Sequence, residues 1–249
     1  MKLSIILLSS ENYEHLAIEN IEKFLKKIDN KIECEVILAS SKENINLHKS
    51  YKFVYDEVFS NRLIKALNKI NNNFVLLWLD DYLIKKINFT LLLKAFDLFE
   101  KFNIGACKLY PIEKPKIYIP GNPFFGMYDN QPLGRLNTQP TIYEKSFLNS
   151  IIASNESLWE FENNHSTRSI PQNKMVFGSF KKIIDYDEII KGGKFFRKYK
   201  KLYPKITNIN SMTLGEEFTI IFKSKLYRIL IAIFGYNILI KMKKYFYGL

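Results

Sequence analysis

Residues 74–84 read FVLLWLDDYLI, a run of six apolar side chains that stops abruptly at two adjacent aspartates. A continuous apolar run of this length is typical of a β-strand that is buried on both faces of a sheet. Asp80 and Asp81 then stand side by side at the end of the strand, where their charges repel each other unless a cation or hydrogen-bond donors compensate them. The stretch therefore predicts an interior strand with a polar site at its carboxyl end.

Strand and helix patterns alternate through the first half of the chain. Leu3–Leu8 is another continuous apolar run, and residues 15–28 carry apolar side chains close to helical spacing. Further strands are predicted at Glu33–Ala39 and Lys52–Tyr55, with a helix at Ser60–Ile70. This alternation indicates an α/β fold with a right-handed, mostly parallel sheet.

The second half has a different texture. A helix is predicted at residues 88–102 and a strand at Ile104–Leu109, followed by Pro- and Gly-rich loops over Pro111–Gly134. A strand at 138–143 and a helix at 145–153 come next. We expect one domain over residues 1–217, made of a half at 1–110 and a half at 111–217, and a separate tail at 218–249.

The chain is basic, with 37 Lys and Arg residues against 25 Asp and Glu residues and a net charge of +12. A surface of this sign favours phosphate-bearing partners such as nucleic acid, anionic lipid or a nucleotide-sugar. Much of the excess positive charge lies after Lys181, which favours a localised contact.

Cys34 and Cys107 lie in apolar runs typical of buried thiols. The short apolar start lacks a signal-peptide pattern, so we expect a cytoplasmic protein.

The tail contains LYRILIAIFGYNILI at residues 226–240, interrupted by Arg228, Gly235 and Asn237. A membrane-spanning helix needs about 20 apolar residues, so this segment is too short. Lysines flank it on both sides, a composition typical of a helix that lies in the headgroup region of an anionic membrane. The prediction is peripheral association with the inner face of the cytoplasmic membrane; the alternative is a helix docked on the domain or on a second subunit.

Two stretches resemble known enzymes. VLLWLDDYLI at residues 75–84, in its place after the fourth predicted strand, resembles the acidic DxD-type motif of GT-A fold glycosyltransferases, although no residue separates the two aspartates here. LNTQPTIYEKSFLNSII at 136–152, ESLWEFE at 156–162 and IIKGGKFF at 189–196 are similar to segments of small bacterial glycosyltransferases, family 2-like, that build cell-surface polysaccharide and lipopolysaccharide. The resemblance implies a GT-A-like, mostly parallel nucleotide-binding sheet flanked by helices.

Ligands of open α/β sheets bind beyond the carboxyl ends of the strands. The resemblance therefore implies a divalent cation, Mn²⁺ or Mg²⁺, at Asp80 and Asp81, bridging to the diphosphate of a nucleotide-sugar donor; a plain surface turn is the alternative. Backbone N–H groups at the start of the helix after the third strand suit the diphosphate as well. The predicted donor contacts are Ser9, Ser10, Glu11, Tyr13, Asp56, Asn61, Arg62, Asp80, Asp81 and Gln139.

The catalytic base is predicted in ESLWEFE. Glu156 and Glu160 are four residues apart and share one face if the segment is helical, with Trp159 beside them. A carboxylate next to an indole has a raised pKa suited to accepting a proton from an acceptor hydroxyl. The resemblance places the base of an inverting enzyme here; we favour Glu160 over Glu156, and an ordinary acidic helix end is the alternative.

Other function classes lack their signals. The chain has no P-loop, G-x-S-x-G or dinucleotide fingerprint, and its three histidines have no spacing typical of a metal site. We expect a glycosyltransferase that transfers a sugar from a nucleoside-diphosphate sugar to a cell-surface glycan or lipid-linked acceptor. The alternative is a non-catalytic α/β protein that binds membrane or nucleic acid, but no nucleic-acid module is present and no nucleic-acid partner is expected. A nucleotidyltransferase is a third option, but the chain lacks the Gly-rich phosphate loop that such an enzyme has near its first strand.

Overall fold

A computed structural model describes residues 2–10, 13–28, 32–43, 51–111, 114–128, 136, 138–164, 173–204, 206 and 208–234. The chain divides into two compact units, Met1–Glu188 and Ile189–Leu249. The predicted division at residue 218 separates a catalytic part from a tail, and it stays a prediction.

The first unit alternates strands and helices. Its strands are β1 (Lys2–Ser9), β2 (Glu33–Ser40), β3 (Lys52–Tyr55), β4 (Phe74–Leu79), β5 (Tyr82–Ile87), β6 (Ile104–Lys108), β7 (Ile117–Ile119), β8 (Asn122–Met127), β9 (Thr141–Glu144), β10 (Met175–Ser179) and β11 (Ile184–Glu188). Its helices are α1 (Glu14–Leu25), α2 (Phe59–Lys69), α3 (Phe89–Lys101), α4 (Lys145–Ile151) and α5 (Leu158–Asn164).

Nine of these strands form one sheet in the order β3-β2-β1-β4-β9-β6-β10-β8-β7. Among them, β9 and β8 run opposite to β1 and the others run with it. Strands β5 and β11 pair separately as an antiparallel ribbon. The predicted α/β class, with a mostly parallel sheet flanked by helices, is confirmed.

The sheet is buried on both faces, which explains its continuous apolar runs. Along β1, the side chains of Leu3, Ile5 and Leu7 enter one apolar core. The alternate side chains of Ile6 and Leu8 enter a second core on the other face. Because successive side chains of a strand point to opposite faces, every position must be apolar when helices cover both.

The second unit begins with a short hairpin and ends in a long helix. Strands β12 (Ile190–Lys191) and β13 (Lys194–Phe195) pair across Gly192 and Gly193, whose φ angles of 56° and 77° favour glycine. Helices α6 (Arg197–Lys200) and α7 (Leu214–Phe234) follow. Within the described ranges, no helix is long and apolar enough to cross a bilayer.

Candidate active site

The ends of β1 and β4 form a buried hydrogen-bonded cluster. These strands are parallel neighbours, so their carboxyl ends lie at the same edge of the sheet. The Asp80 N–H donates to the carbonyl of Leu8 at 3.1 Å, which extends the pairing of the two strands by one residue. The Asp80 carboxylate accepts from Ser9 Oγ at 3.1 Å and from the Ser10 N–H at 3.0 Å. Strand pairing alone therefore brings together three of the predicted donor contacts.

Arg62 brings a buried positive charge to this cluster. It lies in the first turn of α2, is 9% exposed, and donates from Nη1 to the carbonyl of Ser9 at 2.7 Å. Burial raises the pKa of Asp80 to about 6, while the hydrogen bonds from Ser10 and Ser9 and the charge of Arg62 oppose the rise. The buried carboxylate of Asp80 is thus compensated by two hydrogen-bond donors and by the nearby charge of Arg62.

The two aspartates predicted as metal ligands differ in their surroundings. Asp80 is buried, and its carboxylate accepts from hydroxyl and backbone donors. Asp81 is half-buried beside this cluster. In the part of the chain that the structure describes, no group of three or more His, Cys, Asp or Glu side chains is arranged to hold a metal ion. A divalent cation at Asp80 and Asp81 stays a prediction.

Tyr82 marks the place where acidic residues from distant segments meet. Its ring packs on Tyr186 with ring centroids 4.2 Å apart. The pKa of Tyr82 is raised well above its ordinary value, first by burial, then by Tyr186 and by the nearby carboxylates of Asp81, Glu188 and Glu162. These three acids come from the β4–β5 turn, the end of β11 and helix α5. We call this acidic region beside Tyr82 the candidate cleft.

Tyr13 and Asp56, two further predicted donor contacts, have different surroundings. The pKa of Tyr13 is raised by burial and by the charges of Asp80 and Asp81, which places its ring beside the two aspartates. Asp56 accepts from the N–H of Val58 at 3.0 Å and forms a 2.8 Å ion pair with Lys65. Its pKa is lowered, mainly by the hydrogen bond from Lys65. Tyr13 is thus available to the site, whereas the Asp56 carboxylate is used at the start of α2.

Asn61 and Glu156 link α2 to the segment before α5. The side-chain amides of Asn61 and Asn155 are joined at 3.0 Å, and the Asn155 N–H donates back to Asn61 at 3.1 Å. The Glu156 N–H donates to Ser60 Oγ at 2.8 Å, and its buried carboxylate accepts from Asn164 Nδ2 at 2.8 Å. Both side chains hold this loop in place. Glu11 lies outside the described residues.

Glu160 and Trp159 lie at the exposed start of α5. The Glu160 carboxylate accepts from the N–H and Oγ of Ser157, both at 2.8 Å, and the Glu160 N–H donates to Ser157 Oγ at 3.2 Å. This reciprocal pattern is a capping box. It lowers the pKa of Glu160, so the predicted rise is wrong. Trp159 is 60% exposed, and Glu156 precedes the helix rather than sharing a face with Glu160.

Several solved structures are similar to parts of this chain. No protein-family model matches the chain, and no curated protein does. Among solved structures, S. aureus TarS 1-349 is 16% identical with a TM-score of 0.48, over 75% of this chain and 59% of that one. The same protein in complex with UDP is 18% identical with a TM-score of 0.47, over 74% and 60%. The mannosyltransferase PcManGT from Pyrobaculum calidifontis, in complex with GDP-Man and Mn²⁺, is 11% identical with a TM-score of 0.49, over 77% and 58%. The chain thus spans about three fifths of each of these structures.

The chain has a mostly parallel α/β sheet. Its strand order places the ends of β1 and β4 at the centre of the carboxyl edge, and β9 lies next to β4. The predicted contact Gln139 lies just before β9 and is half-buried. Its neighbour Thr138 donates to Glu162 from the N–H at 2.9 Å and from Oγ1 at 2.5 Å.

Glu162 is the functional candidate that the sequence reasoning missed. It lies on α5, two residues after Glu160, and is the acidic residue of this segment whose charge reaches Tyr82. A sequence signal was available. Ser157 and Glu160 fit the S-x-x-E capping pattern, which predicts that Glu160 caps the start of the helix. Glu162 is not part of that pattern, so its carboxylate is not used by the cap.

Proposed function

We propose that the chain is a glycosyltransferase that transfers a sugar from a nucleoside-diphosphate sugar to a cell-surface glycan or lipid-linked acceptor. One observation carries the proposal: Asp81 and Glu162, from segments far apart in sequence, both lie near Tyr82 beside the Arg62–Asp80 cluster. Glycosyl transfer needs a place for the departing diphosphate and a carboxylate that accepts the proton of the attacking hydroxyl. The cleft offers residues for both tasks.

The donor side is assigned to the ends of β1 and β4. Tyr13 lies beside the aspartates and offers a ring on which a nucleobase can stack. The Ser10 N–H donates to Asp80, and Arg62 donates to the carbonyl of Ser9, so these contacts fix the ends of the two strands. Because the cleft carries more carboxylates than cations, the diphosphate is expected to enter as its Mg²⁺ or Mn²⁺ complex with Asp81 as the protein contact. That ion would supply charge neutralisation for the leaving diphosphate.

Glu162 is proposed as the proton acceptor in place of Glu160. One oxygen of its carboxylate accepts from the N–H and Oγ1 of Thr138, and its charge contributes to the raised pKa of Tyr82. Glu160 is exposed and engaged in the capping box. A base on the side of the sugar opposite the diphosphate gives inversion at the anomeric carbon, so an inverted product is expected.

Donor binding is tested by thermal shift with UDP- and GDP-sugars, with and without Mn²⁺. A ligand that binds the native form at about 100 times its Kd stabilises it by about 2.7 kcal/mol. We expect Asp81→Asn to remove the shift and Asp97→Asn, an exposed aspartate on α3, to retain it. If no nucleotide-sugar shifts the melting temperature of the wild-type protein, the proposal fails. That result would favour the alternative of a non-catalytic binding protein.

The base is tested by comparing two isosteric variants in a donor-hydrolysis or transfer assay. Glu162→Gln is expected to lower kcat by about 10²- to 10⁴-fold while the donor-induced thermal shift persists. Glu160→Gln is expected to change kcat by less than about threefold, because only the capping box is touched. A large loss for Glu160→Gln with an active Glu162→Gln would return the role to Glu160.

The tail is proposed to hold the enzyme on the inner, anionic face of the cytoplasmic membrane. Helix α7 exposes large apolar side chains along one side, and Phe218 is 71% exposed with its ring stacked on Phe222 at 6.2 Å. Lys223 and Lys225 lie on the same helix among these side chains. An exposed apolar stripe with lysines suits an anionic lipid surface. The apolar stripe comprises Leu214, Phe218, Ile221, Phe222, Leu226 and Ile229.

Sedimentation with vesicles of phosphatidylglycerol and phosphatidylcholine tests the membrane contact. The double variant Phe218→Ser/Phe222→Ser is expected to stay in the supernatant, while the donor-induced thermal shift is unchanged. Leu202→Ser, a 55% exposed leucine outside α7, is the matched control and is expected to sediment like the wild type. Sedimentation of the double variant at wild-type levels would contradict the assignment.

A further inference from the structure

Three consecutive residues after β10 each contact a different aromatic ring. The Phe180 ring stacks on Tyr118, with centroids 4.9 Å apart and an interplanar angle of 21°. Lys181 Nζ lies 5.3 Å from the centre of the Phe124 ring. Lys182 Nζ lies 5.0 Å from the centre of the Tyr110 ring. This short segment therefore places one ring and two ammonium groups against three aromatic rings from other parts of the chain.

These rings continue the candidate active site toward the edge of the sheet. Strand β10 runs in the same direction as β4, so its carboxyl end lies at the edge that carries Asp81. Tyr110 packs on Tyr186 at 4.9 Å, and Tyr186 packs on Tyr82, the residue after Asp81. We call this series of rings the aromatic strip: Tyr82, Tyr186, Tyr110, Phe124, Phe180 and Tyr118.

The outer end of the strip is held in place by the backbone around it. The Phe180 N–H donates to the carbonyl of Phe124 at 2.9 Å. A Cβ at Gly126 would lie 2.7 Å from Cζ of Phe180, so glycine is needed for the ring to lie against the sheet. Tyr118 is 72% exposed although its ring is ordered by stacking. An exposed, positioned ring offers a binding face to a ligand.

Positive charge accompanies the rings along the strip. Lys94 Nζ lies 4.8 Å from the centre of the Phe124 ring, on which Lys181 also lies. Lys116 is exposed two residues before Tyr118, and Lys182 pairs with Asp185 at 2.9 Å. The acidic cleft beside Tyr82 thus gives way to a surface whose lysines favour anions.

We propose that the aromatic strip binds the acceptor, and that the acceptor is an anionic glycan. This rests on the proposed function, because it requires the cleft at Asp81 to hold the sugar donor. The C–H faces of pyranose rings pack on the electron-rich faces of tyrosine rings, and carboxylate or phosphate substituents meet the lysine ammonium groups.

A glycan fits the strip better than the other anionic polymers. Tyr118 and Phe180 stack on each other, so this ring pair offers only one outer ring face to a ligand. A nucleic-acid strand needs several accessible rings in succession on which its bases can stack. Apart from Tyr118, the rings of the strip are half-buried or buried, whereas a lipid surface calls for protruding apolar groups such as those of α7.

Binding of defined oligosaccharides to the full chain tests the proposal by calorimetry or NMR. Oligogalacturonate is the anionic probe and cello-oligosaccharide the neutral one. Tyr118→Ala is expected to weaken oligogalacturonate binding by about fivefold or more, the loss of one stacked ring face. Lys181→Gln is expected to weaken oligogalacturonate by about threefold and leave cello-oligosaccharide unchanged, with a matching loss of salt dependence.

The controls separate this proposal from the proposed function. Tyr55→Ala removes another exposed tyrosine with a lysine over its ring, on the opposite edge strand β3, and is expected to bind as the wild type. If nucleotide-sugars shift the melting temperature but Tyr118→Ala binds oligogalacturonate normally, the strip proposal fails alone. No oligogalacturonate binding up to about 10 mM, or tighter binding of oligo(dT), would equally refute it.

Discussion

Replacement of Arg62 by leucine removes a buried cation and keeps an apolar side chain in its place. The wild-type guanidinium donates from Nη1 to the carbonyl of Ser9 at 2.7 Å. Its charge also favours the ionised form of Asp80, whose pKa burial raises to about 6. The variant Arg62→Leu therefore leaves a buried carboxylate with weaker compensation, and the free energy of unfolding is expected to fall.

The size of the loss follows from the contacts that remain. A buried hydrogen bond from a charged donor contributes about 1.5–3 kcal/mol. Asp80 keeps its donors from Ser9 and Ser10 and loses only the nearby charge of Arg62, which favours a value within this range. We expect a loss of about 2 kcal/mol near neutral pH, or a fall in Tm of roughly 4–8 °C for a domain of this size.

The loss depends on pH with a definite sign. The pKa of Asp80 is higher in the folded chain than the value of about 4 for an unfolded aspartate. Ionised Asp80 therefore destabilises the fold above about pH 6, and the penalty disappears as the pH falls toward about 4. Because Arg62 offsets that penalty, Arg62→Leu is expected to cost most near pH 7.5 and clearly less near pH 5.

Urea unfolding followed by circular dichroism at the two pH values measures this. Lys65→Met is the control, because Lys65 lies one turn further along α2 in an exposed ion pair with Asp56, worth about 0–1 kcal/mol. The double variant Arg62→Leu/Asp80→Asn is expected to recover part of the loss. An equal loss for Arg62→Leu at both pH values, or a loss no larger than that of Lys65→Met, would refute the reasoning.

Three further predictions concern stability and titration. Gly105→Ala places a Cβ 2.4 Å from the Phe147 ring and is expected to cost about 1–3 kcal/mol in urea unfolding; a smaller cost would mean that the ring moves aside. Asn88→Ala removes the N-cap of α3, whose side chain accepts a backbone N–H at 3.1 Å, and is expected to cost about 1 kcal/mol, with Asn88→Asp closer to wild type. The pKa of Glu216 is lowered to about 2, mainly by the hydrogen bond from Lys194, so its stabilising contact persists above its ordinary pKa and is lost as the pH falls through about 2; an NMR titration of Lys194→Met is expected to show a higher midpoint, and an unchanged one would contradict this.

The strands of the first half were predictable because the residues of each strand show by themselves that the strand is buried. A strand covered on both faces needs apolar side chains at every position, as in β1 and β4, and no other short pattern competes with it. The polar ends of these strands were predictable for the same reason. Since parallel neighbours end at one edge, Ser9, Ser10 and Asp80 had to meet.

The second half was less predictable because its partners are distant in sequence. The strand near residue 140 was predicted, but its antiparallel insertion between β4 and β6 depends on pairing across the whole sheet. The pKa of Glu160 was predicted in the wrong direction because hydrogen bonds from the neighbouring Ser157 stabilise its carboxylate. Proximity to a tryptophan in sequence carries no information about burial, and Trp159 is exposed.

By itself, the sequence determined the alternation of strands and helices, the double burial of the sheet and the polar groups at the ends of its first strands, because each of these is set by neighbours within a few residues. The tertiary structure alone decided which carboxylates face one another. Asp81, Glu162 and Glu188 meet at Tyr82 only through the pairing of β5 with β11 and the packing of α5. The charge around a site is a sum over residues that are close in space, and spacing along the chain does not record that closeness.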